Sequence, residues 1–137
     1  MRLLGVDYGR GRIGIALGDT DSRVATPLEV LKASGGSLLV LTERLVALAK
    51  QEGITNIVMG VPFPLHDQTH ETAQTKEIRQ VIEACRAAGL VVHEENETWS
   101  TRLAERQARE GERRGPADDL AAAAILQGYL DRTAQTR

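Results

Sequence analysis

Three short extended segments at the N-terminus constrain the fold of this chain most strongly. Alternating apolar residues predict strands over residues 2–7 and 12–18, and a third strand over 23–31 that bends near Pro27. The segments between them, residues 8–11 and 19–22, are short and rich in Gly, Asp and Ser, which favour tight turns. Strands joined by such turns pair side by side, so the pattern predicts an antiparallel meander.

The remainder of the chain alternates helix and strand. Ser37 is a candidate N-cap for a helix that Gly53 ends, and a second helix ends at Gly89. Apolar runs predict strands over 54–60 and 90–95, which right-handed crossovers would set parallel to the first strand. A third helix is predicted to about residue 110 and a last one from Pro116 to about Arg132. The order predicts an α/β fold in one domain, residues 1–137.

Composition restricts the classes of function. The chain has 137 residues, 42% of them hydrophobic, and a formal net charge of −2, so any nucleic-acid contact must come from local clusters of Arg and Lys. No segment approaches the roughly 20 apolar residues of a membrane span, and no signal peptide is recognisable, which favours a cytoplasmic location. The single Cys85 cannot form an internal disulfide and is predicted to be a buried structural thiol.

Acidic residues lie where the predicted strands and the last helix should converge. Asp7 ends the first strand, Glu97 follows the last strand, and Asp118 and Asp119 begin the final helix. Parallel strands share an edge at their carboxyl ends, the usual place for a site in an α/β protein. Such a cluster without His or Cys points to Mg²⁺ or Mn²⁺. On this evidence alone, each carboxylate could equally be a helix cap or a solvated charge.

Four motifs resemble the YqgF/RuvX family of bacterial RNase H-like proteins, described as Holliday junction resolvases or pre-16S rRNA nucleases. Residues 4–18, containing Val-Asp-Tyr-Gly, are similar to the opening of the family. Residues 58–62 resemble a strand ending in Val-Gly-Leu-Pro, and residues 95–101 resemble Asp-Glu-Arg-Leu-Thr-Thr. Residues 118–130 resemble a C-terminal helix that begins Asp-x-x-Ala-Ala. The match spans nearly the whole chain and implies an RNase H-like fold with a mixed five-stranded sheet flanked by helices.

The resemblance also implies a catalytic site. The family's acidic triad falls on Asp7, Glu97 and Asp118, which would hold two ions about 4 Å apart, with Asp7 bridging them. Hydrolysis by water would leave a 5′-phosphate and a 3′-hydroxyl. Two choices stay open: Glu97 competes with its acidic neighbours at 94 and 95, and Asp118 competes with Asp119. One departure concerns Thr98, which stands where the family has Arg, and another concerns the loop at 63–68.

Basic and aromatic residues near these carboxylates are candidates for nucleic-acid contacts. Thr101 is one candidate; four arginines recur at helical spacing after it, and two more flank Gly11: Arg102, Arg106, Arg109, Arg113, Arg10 and Arg12. The alternative for the helical arginines is a solvated face paired with glutamates. Trp99 is the best candidate for stacking on unpaired bases, with Tyr8 and Phe63 as further candidates. The glycines at 5, 9 and 14 suit either packing or close approach of a phosphate backbone.

These features favour an endonuclease that cuts four-way DNA junctions. Because a junction has two-fold symmetry and needs paired nicks, a homodimer is expected. The same site could instead process precursor ribosomal RNA, and a non-catalytic nucleic-acid-binding assembly factor is a third interpretation. An actin-like ATPase is disfavoured, because 137 residues supply one of the two domains that clasp a nucleotide.

Overall fold

A five-stranded sheet with helices on both faces forms the molecule. The computed structural model describes residues 1–9, 11–32, 37–62, 72–96 and 118–134. The strands, in the spatial order β3-β2-β1-β4-β5, and the helices have these bounds: β1 Arg2–Gly9, β2 Arg12–Asp19, β3 Val24–Lys32, α1 Leu38–Gln51, β4 Asn56–Val61, α2 Ala73–Ala87, β5 Val91–Asn96 and α3 Asp118–Ala134. The helix predicted before residue 110 lies outside the described residues. Among the described helices, none is long and apolar enough to cross a membrane.

Strand pairing confirms the predicted mixed sheet. β1 and β2 are antiparallel, as are β2 and β3, whereas β1 pairs in parallel with β4 and β4 with β5. β1, β3, β4 and β5 therefore all end at the same edge of the sheet, which we call the carboxyl edge. The first turn is tighter than predicted, because Tyr8 still pairs with Ile13 and Gly9 with Arg12. Gly11 supplies the positive φ, 68°, that this turn requires.

A bulge near Pro27 confirms the predicted bend in β3. Ile15 pairs with Glu29, but the next residue of β2, Ala16, pairs with Pro27, so Leu28 is an extra residue without a partner in β2. Proline has no N–H to donate to a neighbouring strand, and a bulge accommodates that loss. The register of β3 beyond the bulge is shifted by one residue, so Arg12 of β2 pairs with Lys32 instead of Leu31.

One face of the sheet packs against α1 and α2. The buried side chains on this side include Leu4, Val6 and Tyr8 from β1, together with these residues from the other elements: Ile13, Ile15, Leu41, Leu45, Ala49, Ile57, Met59, Ile78, Val81, Ile82 and Cys85. The Ser37 hydroxyl accepts a hydrogen bond from the Val40 N–H and caps α1, as predicted. Burial raises the pKa of the Cys85 thiol to about 11, confirming a structural cysteine.

The other face packs against α3 at very short range. Its core comprises Leu3, Ala16, Val58, Ala122, Ile125, Leu126 and Leu130. A Cβ added at Gly5 would lie 2.6 Å from the Leu126 Cβ and 2.8 Å from the Ala122 carbonyl oxygen. Only glycine lets the helix backbone approach β1 this closely. Of the two predicted roles, packing and close approach of a phosphate backbone, Gly5 therefore has the packing role.

Candidate active site

Asp7 lies near the carboxyl end of β1, on the face that packs against α3. Side chains alternate along a strand, so Asp7 shares a face with Leu3 and Gly5, while Val6 and Tyr8 point into the α1–α2 core. Its partner in β2 is Gly14, which carries no side chain. The Asp7 carboxylate is half-buried at this position. The sheet therefore presents Asp7 at the edge where the sequence predicted a site.

The direction of α3 brings its N-terminal turn toward the same edge. Ala122 and Leu126 contact the position of Gly5, whereas Leu130 contacts Gly18, which lies farther from the carboxyl edge. Asp118, the first residue of α3, stands one turn before Ala122, or about 6 Å along the helix. Asp7 stands two residues after Gly5, or about 7 Å along the strand. α3 therefore begins on the side of Asp7, although the side chains at 118 and 119 lie outside the description.

Two of the acidic residues that competed with Glu97 are engaged by arginines. Arg86 of α2 lies 3.6 Å from the Glu94 carboxylate. Arg132 of α3 lies 2.5 Å from Glu95, whose side chain is only 13% exposed, and this hydrogen bond raises the pKa of the Arg132 guanidinium. Glu97 itself lies outside the described residues, one position after the end of β5. Both described glutamates thus have a structural partner in an arginine.

Tyr8 is a core residue, which corrects its interpretation as a stacking platform. The residue is 4% exposed, and its hydroxyl donates a hydrogen bond to the Glu77 carboxylate of α2. Burial, and then this contact, raise the pKa of the phenol above its ordinary value. The sequence missed this role because Glu77 is 69 positions away. The other two aromatic candidates, Trp99 and Phe63, lie outside the described residues.

The predicted basic residues divide between described and undescribed parts of the chain. Arg12 begins β2 at the carboxyl edge and is half-buried. The other arginines, Arg10, Arg102, Arg106, Arg109 and Arg113, lie outside the described residues, as does Thr101, a further candidate for nucleic-acid contact. Sequence analysis missed two further cations at this edge, Lys32 at the end of β3 and Arg44 on α1, whose Nη1 donates to the Lys32 carbonyl at 2.5 Å. The signal for Lys32 was its place at the end of the third predicted strand.

The acidic residues of the second turn lie at the opposite edge. Asp19 pairs with Arg2 at the start of β1, five residues or about 17 Å along the strand from Asp7. The Asp21 N–H donates to Asp19 Oδ1 at 2.7 Å, and this bond lowers the pKa of the Asp19 carboxyl. This contact confirms the prediction that Asp19 and Asp21 form a turn.

The described residues contain one of the three predicted metal ligands with its side chain, namely Asp7. Consistently, no three His, Cys, Asp or Glu side chains come together within the described part of the chain. Carboxylates are hard oxygen donors, so the predicted set fits Mg²⁺ or Mn²⁺.

Comparisons with known proteins agree with this architecture. The RuvX family, described as Holliday junction resolvase, matches residues 1–132. Proteins named "Putative pre-16S rRNA nuclease" from Ruminiclostridium cellulolyticum and Thermus thermophilus are 34% and 33% identical; the matches cover 98% and 96% of this chain and 96% and 98% of those proteins.

The fold also matches a solved structure. The structure of T. thermophilus RuvC in complex with a Holliday junction substrate superposes with a TM-score of 0.70 at 18% identity, covering 99% of this chain and 98% of that one. This likeness confirms the predicted RNase H-like fold. From its motifs, its fold and its full-length similarity, the chain belongs to the RuvX family of nucleases.

Proposed function

We propose that this chain is a metal-dependent endonuclease with Asp7, Glu97 and Asp118 as its catalytic carboxylates. The position of Asp7 carries the proposal: it is half-buried at the carboxyl edge, on the face against which α3 packs. α3 begins at Asp118 on the same side, because Gly5 fixes the helix one turn farther along. β1 and α3, whose residues Asp7 and Asp118 are 111 positions apart, thus meet at one edge of the sheet.

The pairing of Glu94 and Glu95 supports Glu97 as the second carboxylate. Each of these two glutamates already faces an arginine, and a carboxylate in an ion pair is a poor competitor for a cation. His93 and Glu95 of β5 contact Tyr129 and Arg132 of α3, so they lie on the face of the sheet that carries Asp7. In the sequence, Glu97 follows them at the same two-residue spacing.

Helical periodicity supports Asp118 over Asp119 as the third carboxylate. Residues four apart share a helix face, and Asp118 is four positions before Ala122, which is fully buried against the sheet. Asp119 is four positions before Ala123, which is only partly buried. Asp119 is then a favourable charge at the positive end of the helix dipole.

The donor set suits two Mg²⁺ or Mn²⁺ ions. When bound, these ions would supply Lewis acidity for the attacking water and for the leaving oxygen of the phosphodiester. Asp7, Glu97 and Asp118 are the residues that would hold them, as the family resemblance implies. Gly14 beside Asp7 leaves no side chain from β2 in the way of the scissile phosphate. The products would carry a 5′-phosphate and a 3′-hydroxyl.

Precursor 16S rRNA is the first candidate substrate. Relatives that cover almost the whole chain at 34% and 33% identity carry the name of pre-16S rRNA nuclease. A nuclease of this kind would hydrolyse structured RNA during ribosome biogenesis and could act as a single protomer.

Four-way DNA junctions are the second candidate substrate. The family description names junction resolution, and the RuvC structure that shares this fold holds a junction. Paired nicks across a two-fold junction require two sites, so this candidate predicts a homodimer. A monomer in solution would therefore count against this candidate.

Cleavage assays test the proposal. Wild-type protein, Asp7→Asn and the matched control Asp21→Asn, whose acidic residue lies at the opposite edge, are incubated with end-labelled junctions and precursor rRNA in Mg²⁺ and in Mn²⁺. We expect wild type and the control to cleave one substrate and Asp7→Asn to lose at least a hundredfold in rate. Equal cleavage by all three proteins, or binding of either substrate without cleavage by wild type, would contradict the proposal.

A further inference from the structure

In the described part of the chain, the end of β1 that carries Asp7 pairs with one neighbouring strand. Register pairing of β1 with its parallel neighbour β4 begins at Leu4 and ends at Val6, which pairs with Met59. β4 itself continues to Val61. Within the described strands, the last three residues of β1 therefore pair with β2 alone. A strand end held from one side opens more easily than one held from both sides.

Helix α2 supplies a second support to this strand end through Tyr8. The Tyr8 hydroxyl donates a hydrogen bond to the Glu77 carboxylate, and the Tyr8 ring is buried in the α1–α2 core. Gln74, three residues earlier on α2, donates from Nε2 to the Tyr8 carbonyl oxygen at 3.4 Å, which is a weaker contact. Both the side chain and the backbone of Tyr8 are thus tied to α2. We call Tyr8, Gln74 and Glu77 the strand clamp.

The first turns of α2 are held in place by their own contacts. The Thr72 hydroxyl accepts a hydrogen bond from the Thr75 N–H at 3.1 Å, and the Thr75 hydroxyl accepts one from the Thr72 N–H at 2.9 Å. Ile78, directly after Glu77, is fully buried in the core. Glu77 therefore reaches Tyr8 from a helix that is capped and packed against the sheet.

The position of Tyr8 sets the position of Asp7, because the two residues share one planar peptide unit. Tyr8 projects into the α1–α2 core, and Asp7 projects from the opposite face, where α3 packs. A rotation of the strand end about its own axis would move both side chains together. Contacts that hold the Tyr8 ring on one face therefore hold the Asp7 carboxylate on the other.

The chemistry of the clamp favours orientation over stability. An apolar ring at position 8 would fill the same space without a carboxylate beside the core. Glu77 is half-buried, and a charge that loses solvent costs free energy that its hydrogen bond must offset. What the phenol–carboxylate pair adds is direction, because a hydrogen bond weakens steeply when it bends.

We propose that Tyr8, Gln74 and Glu77 are positioning residues that hold the Asp7 carboxylate where the catalytic ions bind. The proposal rests on the proposed nuclease function and adds residues that act through Asp7. Loss of a residue that supports a metal ligand typically costs about 10–100-fold in metal affinity or activity. We expect the lower end of that range, because the clamp acts through the backbone.

Mn²⁺ binding by the intact protein tests the clamp. Calorimetry without nucleic acid gives the Kd for wild type, for Tyr8→Phe and for the matched control Ile82→Val. Ile82 is buried on α2, five residues or about 7 Å beyond Glu77, so the control lowers the melting temperature and leaves the clamp intact. We expect the Kd to rise about tenfold in Tyr8→Phe and to stay within about twofold of wild type in Ile82→Val.

Two substitutions of Glu77 isolate the hydrogen bond from the charge. Glu77→Gln and Glu77→Leu both remove the negative charge, but only Glu77→Gln keeps an oxygen that can accept from the Tyr8 hydroxyl. Glu77→Gln should bind Mn²⁺ more tightly than Glu77→Leu by about the factor that separates wild type from Tyr8→Phe. Equal Kd values for the two variants would contradict the clamp.

Amide hydrogen exchange without metal measures the strand end directly. Exchange at residues 7–9, relative to exchange at Leu4, should rise severalfold in Tyr8→Phe and should match wild type in Ile82→Val. An unchanged ratio in Tyr8→Phe would contradict the inference, because the clamp would then not hold this end of β1.

The outcomes separate this inference from the nuclease function. If wild type binds Mn²⁺ and Asp7→Asn does not, but Tyr8→Phe binds as tightly as Ile82→Val, only this inference fails. Equal losses of affinity in Tyr8→Phe and Ile82→Val would also contradict it, because lowered stability would explain both. If wild type binds no Mn²⁺, or Asp7→Asn binds it as well as wild type, both proposals fail together.

Discussion

Substitution of Gly5 by alanine should damage the proposed catalytic site from a distance. The new Cβ would lie 2.6 Å from the Leu126 Cβ and 2.8 Å from the Ala122 carbonyl oxygen. Carbon atoms prefer a separation of about 3.5–4.0 Å, so a shift of about 1 Å is needed. Both obstructing atoms belong to the helix backbone or are fixed to it, so α3 itself must move, and Asp118 moves with it.

The expected magnitudes follow from that shift. Overpacking of this kind costs about 1–3 kcal/mol of unfolding free energy. Misplacement of a catalytic group by about 1 Å costs on the order of a hundredfold in rate. We therefore expect Gly5→Ala to fold with a lowered Tm and to cleave about a hundredfold more slowly at saturating substrate.

Gly18→Ala provides the matched control. Its Cβ would meet Leu126 Cδ2 at 2.7 Å and two other side-chain carbons at 3.2 Å. All three atoms lie beyond the Cβ of a leucine side chain, which can rotate without moving the helix. Differential scanning fluorimetry and single-turnover cleavage of both variants distinguish the cases. Equal rates for Gly5→Ala and Gly18→Ala would refute the argument that Gly5 sets the position of α3.

Three further substitutions and reactions probe the surroundings of the site. Tyr8→Phe removes the donor to the Glu77 carboxylate and should cost about 1–2 kcal/mol in chemical denaturation, whereas an unchanged midpoint would count against that contact. Asp19→Asn should lower the free energy of unfolding at neutral pH, because the folded state depresses the pKa of Asp19. In urea titrations this loss of stability should vanish as the pH falls below about 4. A loss that stays constant with pH would contradict the lowered pKa. The Cys85 thiol should resist iodoacetamide at pH 8 in the folded protein, and rapid alkylation would show that it is accessible. Because the folded state raises the pKa of this thiol, the free energy of unfolding should fall as pH rises from about 9 toward about 11.

The general arrangement of the fold and of Asp7 could be predicted because it depends on local patterns. Alternating apolar residues and tight turns predicted the antiparallel pairing of the first two strands, and the crossover rule predicted the parallel strands. Asp7 at a strand end then implied a carboxyl-edge position. The capping residue Ser37 and the terminating Gly53, with φ of +68°, were equally local and were predicted correctly.

Features that depend on distant partners were not predictable. The role of Tyr8 is set by Glu77 on α2, and the engagement of Glu95 is set by Arg132, which is 37 positions away. The pairing of Arg12 with Lys32 depends on one extra residue in β3, because a one-residue change of register exchanges the two faces of a strand. Local patterns contain none of this information.

The most direct test of the proposed metal site is a Mn²⁺ titration of the isotopically labelled protein followed by paramagnetic broadening in NMR spectra. The account predicts broadening centred on the amides around Asp7 and on Gly60, which lies next to that end of β1, with little effect at Asp19. Asp7→Asn should abolish the effect. Broadening centred on Asp19 and Asp21, or broadening at Asp7 that persists in Asp7→Asn, would contradict the central claim.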